Sequence, residues 1–272
     1  MASWPPESQC ECCACHAKED TGQGKPVVFL HGYVGDIEDW RAQIRYFSPN
    51  YRCLAIDQRG RGKAEAPKTQ EEYTFNLFVD DIYQWASKLN LEKFVLVGHS
   101  LGGMIAQGFT LAHPEMVEAL VLADTSSGSI NARDNFDHQQ RLNEIAMTLG
   151  TVAAFDYDLV NNPATRMRYM KHPETFDRMR EKTRTTSPEG YVFVRGAGQN
   201  RPVFTDRLQE ISCPALLFCG TDDAGFIEPM ELMASKLKTD IIWIKDAGHG
   251  VMYEKPSEYN RALEKFLEKI QY

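Results

Sequence analysis

Short apolar runs alternate along this chain with longer amphipathic stretches. Val27 to Leu30, Cys53 to Ile56, Phe94 to Val97 and Ala119 to Ala123 are continuously apolar and rich in β-branched or bulky residues. Such runs predict strands buried on both faces, as in a parallel sheet. Between them, about Asp39 to Phe47, Phe75 to Leu89 and Leu101 to His113 read as helices. The last is stopped by Pro114, which disfavours helix at the residue before it. Strand–helix alternation predicts an α/β fold around a mainly parallel sheet.

After Thr125 the pattern breaks. From about Ser126 to Leu208 the chain is polar, carries methionines and aromatics, and has helical character. Strand–helix alternation returns at Pro214 to Gly220, followed by Ile241 to Ile244 and a last helix from Pro256 to about Ile270. The simplest reading is a core of residues 1–125 and 209–272 with a helical cap, residues 126–208, inserted into it. Met147, Phe155, Met167, Met170, Met179, Tyr191 and Phe193 give the insertion either an apolar underside facing a site or a small core of its own. Apolar patterning does not choose between the two.

The 272 residues can bury a large core, and 43% hydrophobic with 25% charged residues is ordinary for a soluble globular chain. A net charge of -8 argues against nucleic acid or an anionic membrane as partner. No apolar run approaches the roughly 20 residues of a membrane span. Met1 to Pro6 show neither a basic n-region nor an apolar h-region, so a cytoplasmic location is expected. The seven cysteines are an odd total, which speaks against a disulfide framework. Four of them crowd into Cys10, Cys12, Cys13 and Cys15, with His16 next. These are ligand types for a soft ion such as zinc, but paired Cys-x-x-Cys knuckles are lacking. Reduced thiols in an early edge strand, with no metal, are the expectation.

The chemistry centres on Gly98-His99-Ser100-Leu101-Gly102-Gly103, directly after the apolar run ending at Val97. Strand, tight turn and helix in that order predict a nucleophile elbow, with glycines where a side chain would crowd the turn. A serine hydroxyl needs a base within hydrogen-bond reach. His31, in a turn after the first clear strand, reads as structural. His99 flanks the serine and points away from it. His113 ends a helix, and His138 and His172 sit among charged residues and read as solvated. His249 stands apart: Asp246-Ala247-Gly248-His249-Gly250 follows the last strand, at the sheet edge where open α/β folds bind ligands. Its place fits the chain order serine, acid, histidine.

The imidazole needs a carboxylate to fix its tautomer. In Gly220-Thr221-Asp222-Asp223 either aspartate can serve; Asp223, three residues after the glycine, is favoured, with Asp222 a turn residue. Asp124 is a third candidate, with capping of a loop as its simpler role. Two amides must face the oxyanion. The N–H of Leu101, at the helix start, and that of Tyr33, in His31-Gly32-Tyr33-Val34-Gly35, are the candidates.

These motifs resemble the serine-dependent, cap-bearing α/β-hydrolases. The resemblance rests on His31-Gly32, Asp57-Gln58-Arg59-Gly60, Gly98 to Gly103, Gly220-x-x-Asp223, and Gly248-His249 followed by Glu254-x-Pro256. It runs from about residue 24 to the C-terminus. It implies an eight-stranded, mostly parallel sheet, a lid between strands six and seven, and the triad Ser100, Asp223 and His249. Gly103-Met104-Ile105-Ala106-Gln107, Val121 to Thr125 and Pro188-Glu189-Gly190-Tyr191 look like the carboxylesterase and 3-oxoadipate enol-lactonase branch. Ser at position 100 separates the chain from haloalkane dehalogenases and epoxide hydrolases, which attack through a carboxylate. Arg61 and Ala64 depart from the His and Ser common in relatives. Their loop is expected to lie away from the nucleophile and to alter packing only.

The resemblance implies hydrolysis of a small-molecule carboxylic ester or lactone through an acyl-enzyme, with no cofactor and no metal, by a monomer or homodimer. C–C bond hydrolysis, thioester hydrolysis, lyase or perhydrolase chemistry on the same triad, or a non-catalytic ligand receptor, are the alternatives, because fold does not fix the reaction.

Overall fold

The computed structural model describes residues 18–128 and 136–272. The cluster Cys10, Cys12, Cys13, Cys15 and His16, with its expected edge strand, lies outside the described residues.

Seven strands form one sheet: β1 (Lys18–Thr21), β2 (Pro26–Leu30), β3 (Arg52–Ile56), β4 (Phe94–His99), β5 (Val117–Ala123), β6 (Ala215–Gly220) and β7 (Ile241–Ile244). Their order is β1-β3-β2-β4-β5-β6-β7. Only β1 is antiparallel, pairing Lys18 with Ile56 and Thr21 with Cys53. The expected eight strands are therefore seven among the described residues, and the insertion follows β5 rather than a sixth strand. The strand that breaks the apolar rule, β1, reads Lys-Glu-Asp-Thr and sits exposed at the edge, where charge guards against further pairing.

The continuous apolar runs are buried on both faces because neighbouring residues point to opposite sides of a strand. Val28, Leu30, Leu54, Ile56, Leu96 and Leu120 face one layer of helices; Val27, Phe29, Ala55, Val95, Val97 and Val121 face the other. Fully burying a side chain of this kind stabilises by about 1.5–3 kcal/mol. The core helices are α1 (Arg41–Phe47), α2 (Phe75–Lys88) and α3 (Leu101–Ala112). In α2 the Thr74 side chain caps the N-terminus by accepting from the Leu77 N–H. Its buried face, Phe75, Phe78, Val79, Ile82, Trp85 and Ala86, keeps helical spacing.

The inserted segment holds α4 (Phe136–Leu149), α5 (Thr151–Asn161), α6 (Pro163–Lys171), α7 (Glu174–Thr185) and α8 (Pro188–Gln199). After β6 come α9 (Ile227–Leu237), α10 (Val251–Glu254) and α11 (Pro256–Lys269). Leu142, Ile145, Ala146, Ala154 and Tyr191 form a small core between the inserted helices. Met147, Met167 and Met170 do not serve an underside: they are 48%, 63% and 71% exposed. The buried stripe of α4 runs through Leu142, Ile145 and Ala146, which turns Met147 outward. Phe155, Met179 and Tyr191 do face a cavity, and Phe193 packs on the Tyr73 ring.

His138 and His172, expected in solvent, are buried. Their partners are carboxylates brought in from distant parts of the chain. His138 Nε2 lies 2.7 Å from an Asp158 oxygen, and His172 sits between Asp222 at 3.3 Å and Glu254 at 3.5 Å. The insertion is also tied down by Lys182, which reaches Asp36 and, at 3.0 Å, Asp39. Cys53, Cys213 and Cys219 are free thiols. Burial pushes Cys53 up to about 12 and Cys213 up to about 11, so neither ionises near neutrality. Among the described residues no helix is long and apolar enough to cross a membrane.

Candidate active site

Ser100 occupies the turn between β4 and α3 with φ 52° and ψ -118°. A non-glycine residue there is strained by about 1–3 kcal/mol and is held only by its surroundings. Here the Ser100 N–H donates to the Ala123 carbonyl at 2.9 Å, and the Thr125 hydroxyl donates to the Ser100 carbonyl at 2.6 Å. The turn also needs space. A Cβ on Gly98 would come within 2.5 Å of the Gly102 carbonyl oxygen, and one on Gly102 within 2.4 Å of the Leu30 oxygen.

Three side chains from three loops meet in a line. His249 Nε2 lies 2.9 Å from Ser100 Oγ, and His249 Nδ1 lies 2.7 Å from Asp223 Oδ2. His249 comes from the loop after β7 and Asp223 from the loop after β6. The Phe226 ring stacks on the imidazole at 4.5 Å, and the His99 ring flanks it at 4.9 Å. His99 Nε2 donates to the His249 carbonyl, which holds the loop from behind. Burial, and then the neighbouring His249, lower the His99 pKa to about 3, so it stays neutral.

The other two aspartates have different partners. Asp222 turns toward α6, where Lys171 Nζ lies 2.5 Å away, and that pairing lowers its pKa. Asp124 is fully buried and accepts from the Gly220 N–H at 2.9 Å and the Val251 N–H at 3.3 Å. It thus ties together the loops that carry Asp223 and His249. Burial, reinforced by the charge of Asp223, pushes its pKa well up.

Leu101 is the first residue of α3, so its N–H has no acceptor within the helix. Gly32 packs directly against the elbow: a Cβ there would lie 3.2 Å from the Ser100 Cβ. The following Tyr33 is clamped. Its hydroxyl donates to the Tyr191 carbonyl, its own carbonyl accepts from Arg61 Nε, and the Arg61 guanidinium lies 4.7 Å over its ring. The Arg61 loop therefore does not lie away from the site as expected, but packs on Tyr33 beside it. It reaches the site because Gly60 and Gly62 take positive φ and fold the segment back.

Two cavities flank Ser100. One of about 300 Å³ is bordered by His249, Tyr33, Phe155, Arg168, Tyr169 and Arg195, among others. The second, about 320 Å³, is bordered by Leu101, Met104, Val194 and Gly198; Tyr33, Ser100 and Arg195 border both. The arrangement can hold an acyl carbon against a hydroxyl that has a base behind it, with room for a group on either side. Among the described residues one cluster offers ligands to a cation, His172, Glu174 and Glu254, with ligand atoms within 4.8 Å of one another. It lies behind the His249 loop, where Glu254 accepts from the Gly248 N–H.

Residues 25–256 match the family model described as alpha/beta hydrolase fold. The (E)-2-((N-methylformamido)methylene)succinate hydrolase of Acinetobacter baylyi is 28% identical over 255 residues, covering 92% of each chain. A thermophilic esterase from Thermogutta terrifontis, solved with malate bound, superposes with TM-score 0.80 at 29% identity over 94% of each chain. The enol-lactonase of Burkholderia xenovorans superposes with TM-score 0.79 over 93% of this chain and 96% of its own, at 22% identity, a likeness of fold.

Proposed function

Because the chain belongs to the alpha/beta hydrolase family, we propose that it is a serine hydrolase that cleaves a carboxylic ester or lactone through an acyl-enzyme. The observation that carries this reading is the unbroken line from Asp223 through both ring nitrogens of His249 to Ser100 Oγ, at 2.7 and 2.9 Å. Ser100 Oγ attacks the acyl carbon while His249 Nε2 takes its proton. The oxyanion is received by the N–H groups of Tyr33 and Leu101. His249 then gives the proton to the leaving alkoxide. In the second half it takes a proton from water, the hydroxide releases the acid, and the proton returns to Ser100 Oγ. Asp223 holds the ring tautomer and stabilises the imidazolium. The esterase at 29% identity supports the ester side of the reading.

Purified protein is incubated with short-chain p-nitrophenyl esters and a panel of lactones, with Ser100→Ala alongside. Acid release that vanishes in the variant supports the reading, and the ester-to-lactone ratio assigns the branch. Absence of release from both classes overturns it in favour of C–C cleavage or a binding role.

A further inference from the structure

We propose that Arg168 and Arg195 form a carboxylate-binding subsite beside Ser100, so that the ester or lactone cleaved here carries a free carboxylate. The inference rests on the hydrolase reading for its chemistry and on the charges of the first cavity for its specificity.

Among the described residues, four charged side chains other than the Ser100 line itself border that cavity: Asp39, Asp158, Arg168 and Arg195. The two acids already have partners. Asp39 is paired with Arg178 at 2.7 Å and Lys182 at 3.0 Å. Asp158 accepts from His138 at 2.7 Å, from the Thr165 hydroxyl at 2.7 Å and from Asn162 at 3.1 Å. The two arginines are not paired in this way, although the charges of Asp223 and Glu254 act on Arg168 and hold its pKa up. Both are half-buried, and neither has a carboxylate partner among the described residues. The Arg168 guanidinium lies 5.8 Å from the centre of the Tyr169 ring. Arg195 donates one N–H to Gln139, and its guanidinium lies 5.1 and 4.7 Å from the ring centres of Tyr33 and Tyr191.

A guanidinium carries five N–H donors and stays charged, so withdrawing it from water without an anion is costly. Two of them in one aromatic-walled cavity complement a planar anion that each can grip with paired hydrogen bonds. The contacts of Arg195 with Gln139 and with both tyrosine rings restrain its fork before the ligand arrives. The cavity also contains the Ser100 hydroxyl, so an anion held there places the rest of its molecule at the nucleophile.

The test uses isosteric ester pairs that differ in charge: 4-carboxyphenyl against 4-carbamoylphenyl butyrate, and 4-nitrophenyl hydrogen succinate against 4-nitrophenyl succinamate. The carboxylate member of at least one pair is expected to show kcat/KM higher by roughly tenfold to a hundredfold, the scale of a hydrogen bond to a charged group. Arg168→Gln brings that ratio toward one and Arg168→Lys keeps part of it. Arg166→Gln, exposed on the same helix, changes the net charge equally and leaves the ratio in place. Ser100-dependent turnover with ratios near one in both pairs overturns the subsite and leaves the hydrolase standing. If no ester is turned over, calorimetric titration of Ser100→Ala with 4-hydroxybenzoate and with succinate decides. Binding lost on adding Arg168→Gln upholds the subsite without the hydrolase; no binding overturns both.

Discussion

Arg61 donates from Nε to the carbonyl of Tyr33 and lays its guanidinium over the same ring. The contact fixes the backbone of the residue whose N–H faces the oxyanion in the proposed mechanism. Arg61 is buried, its Nη2 has no hydrogen-bond partner, and burial lowers its pKa. A cation kept in such surroundings costs stability, so its retention points to a positioning role.

Arg61→Met should therefore separate activity from stability. The variant is expected to lose roughly tenfold to a hundredfold in kcat, somewhat less than outright removal of an oxyanion donor, with KM little changed. Its Tm should hold or rise, because an uncompensated buried charge has been removed. Steady-state kinetics and thermal unfolding on the same preparation check both. A raised KM with unchanged kcat would assign Arg61 to substrate binding instead.

The two neighbouring aspartates after β6 should behave oppositely. Asp223→Asn leaves His249 Nδ1 facing an amide and is expected to lower kcat by about 10⁴-fold. Asp222→Asn weakens the link to Lys171 on α6, an exposed-side pair worth about 1 kcal/mol or less, and should leave kcat within severalfold. Parallel kinetics on the two variants decide the assignment, and a larger loss at Asp222 would overturn it.

The sheet was legible because its strands are buried on both faces and so carry unbroken apolar runs. Phe94 to Val97 and Ala119 to Ala123 fall inside β4 and β5. β1 gave no such signal, since an edge strand of Lys, Glu, Asp and Thr looks like a loop. At the site, glycine spacing marked Ser100 and the loops after β6 and β7. What pattern could not supply was contact between distant segments. Arg61 and Tyr33 are joined across 28 positions, and Asp124 bridges to Val251 across 127. The burial of His138 and His172 escaped the pattern for the same reason: Asp158, Asp222 and Glu254, which meet these rings, lie 20, 50 and 82 positions away.

His99 makes the fold acid-sensitive in a defined window. Its pKa is about 3 in the folded chain against the ordinary 6.5. Above 6.5 it is neutral in both states and contributes no pH dependence. As pH falls from 6.5 toward 3 the unfolded chain binds a proton that the native site refuses, so stability is lost. His31, also buried with its pKa lowered by burial, acts in the same direction. Tm measured from pH 8 to pH 4 should fall below about 6.5, and less steeply in His99→Gln. An unchanged slope in that variant would place the acid sensitivity elsewhere.

Two glycine substitutions test whether the elbow is limited by space. Gly102→Ala puts a Cβ 2.4 Å from the Leu30 carbonyl oxygen and 2.5 Å from that of His31. Both are backbone atoms that cannot turn aside. To make room, α3 must shift off β2, and Ser100 moves with it. The variant is expected to lose several kcal/mol of stability, on the scale of severe overpacking, or to survive with Ser100 displaced from His249 and little activity. Gly196→Ala in α8 meets no atom within 4 Å. There the change removes backbone freedom from the unfolded chain and should raise stability by about 0.5–1 kcal/mol. Denaturant unfolding and turnover on both variants make the comparison. A tolerated Gly102→Ala would mean that the turn can relax, and that the strain at Ser100 is held by its hydrogen bonds to Ala123 and from Thr125 rather than by packing.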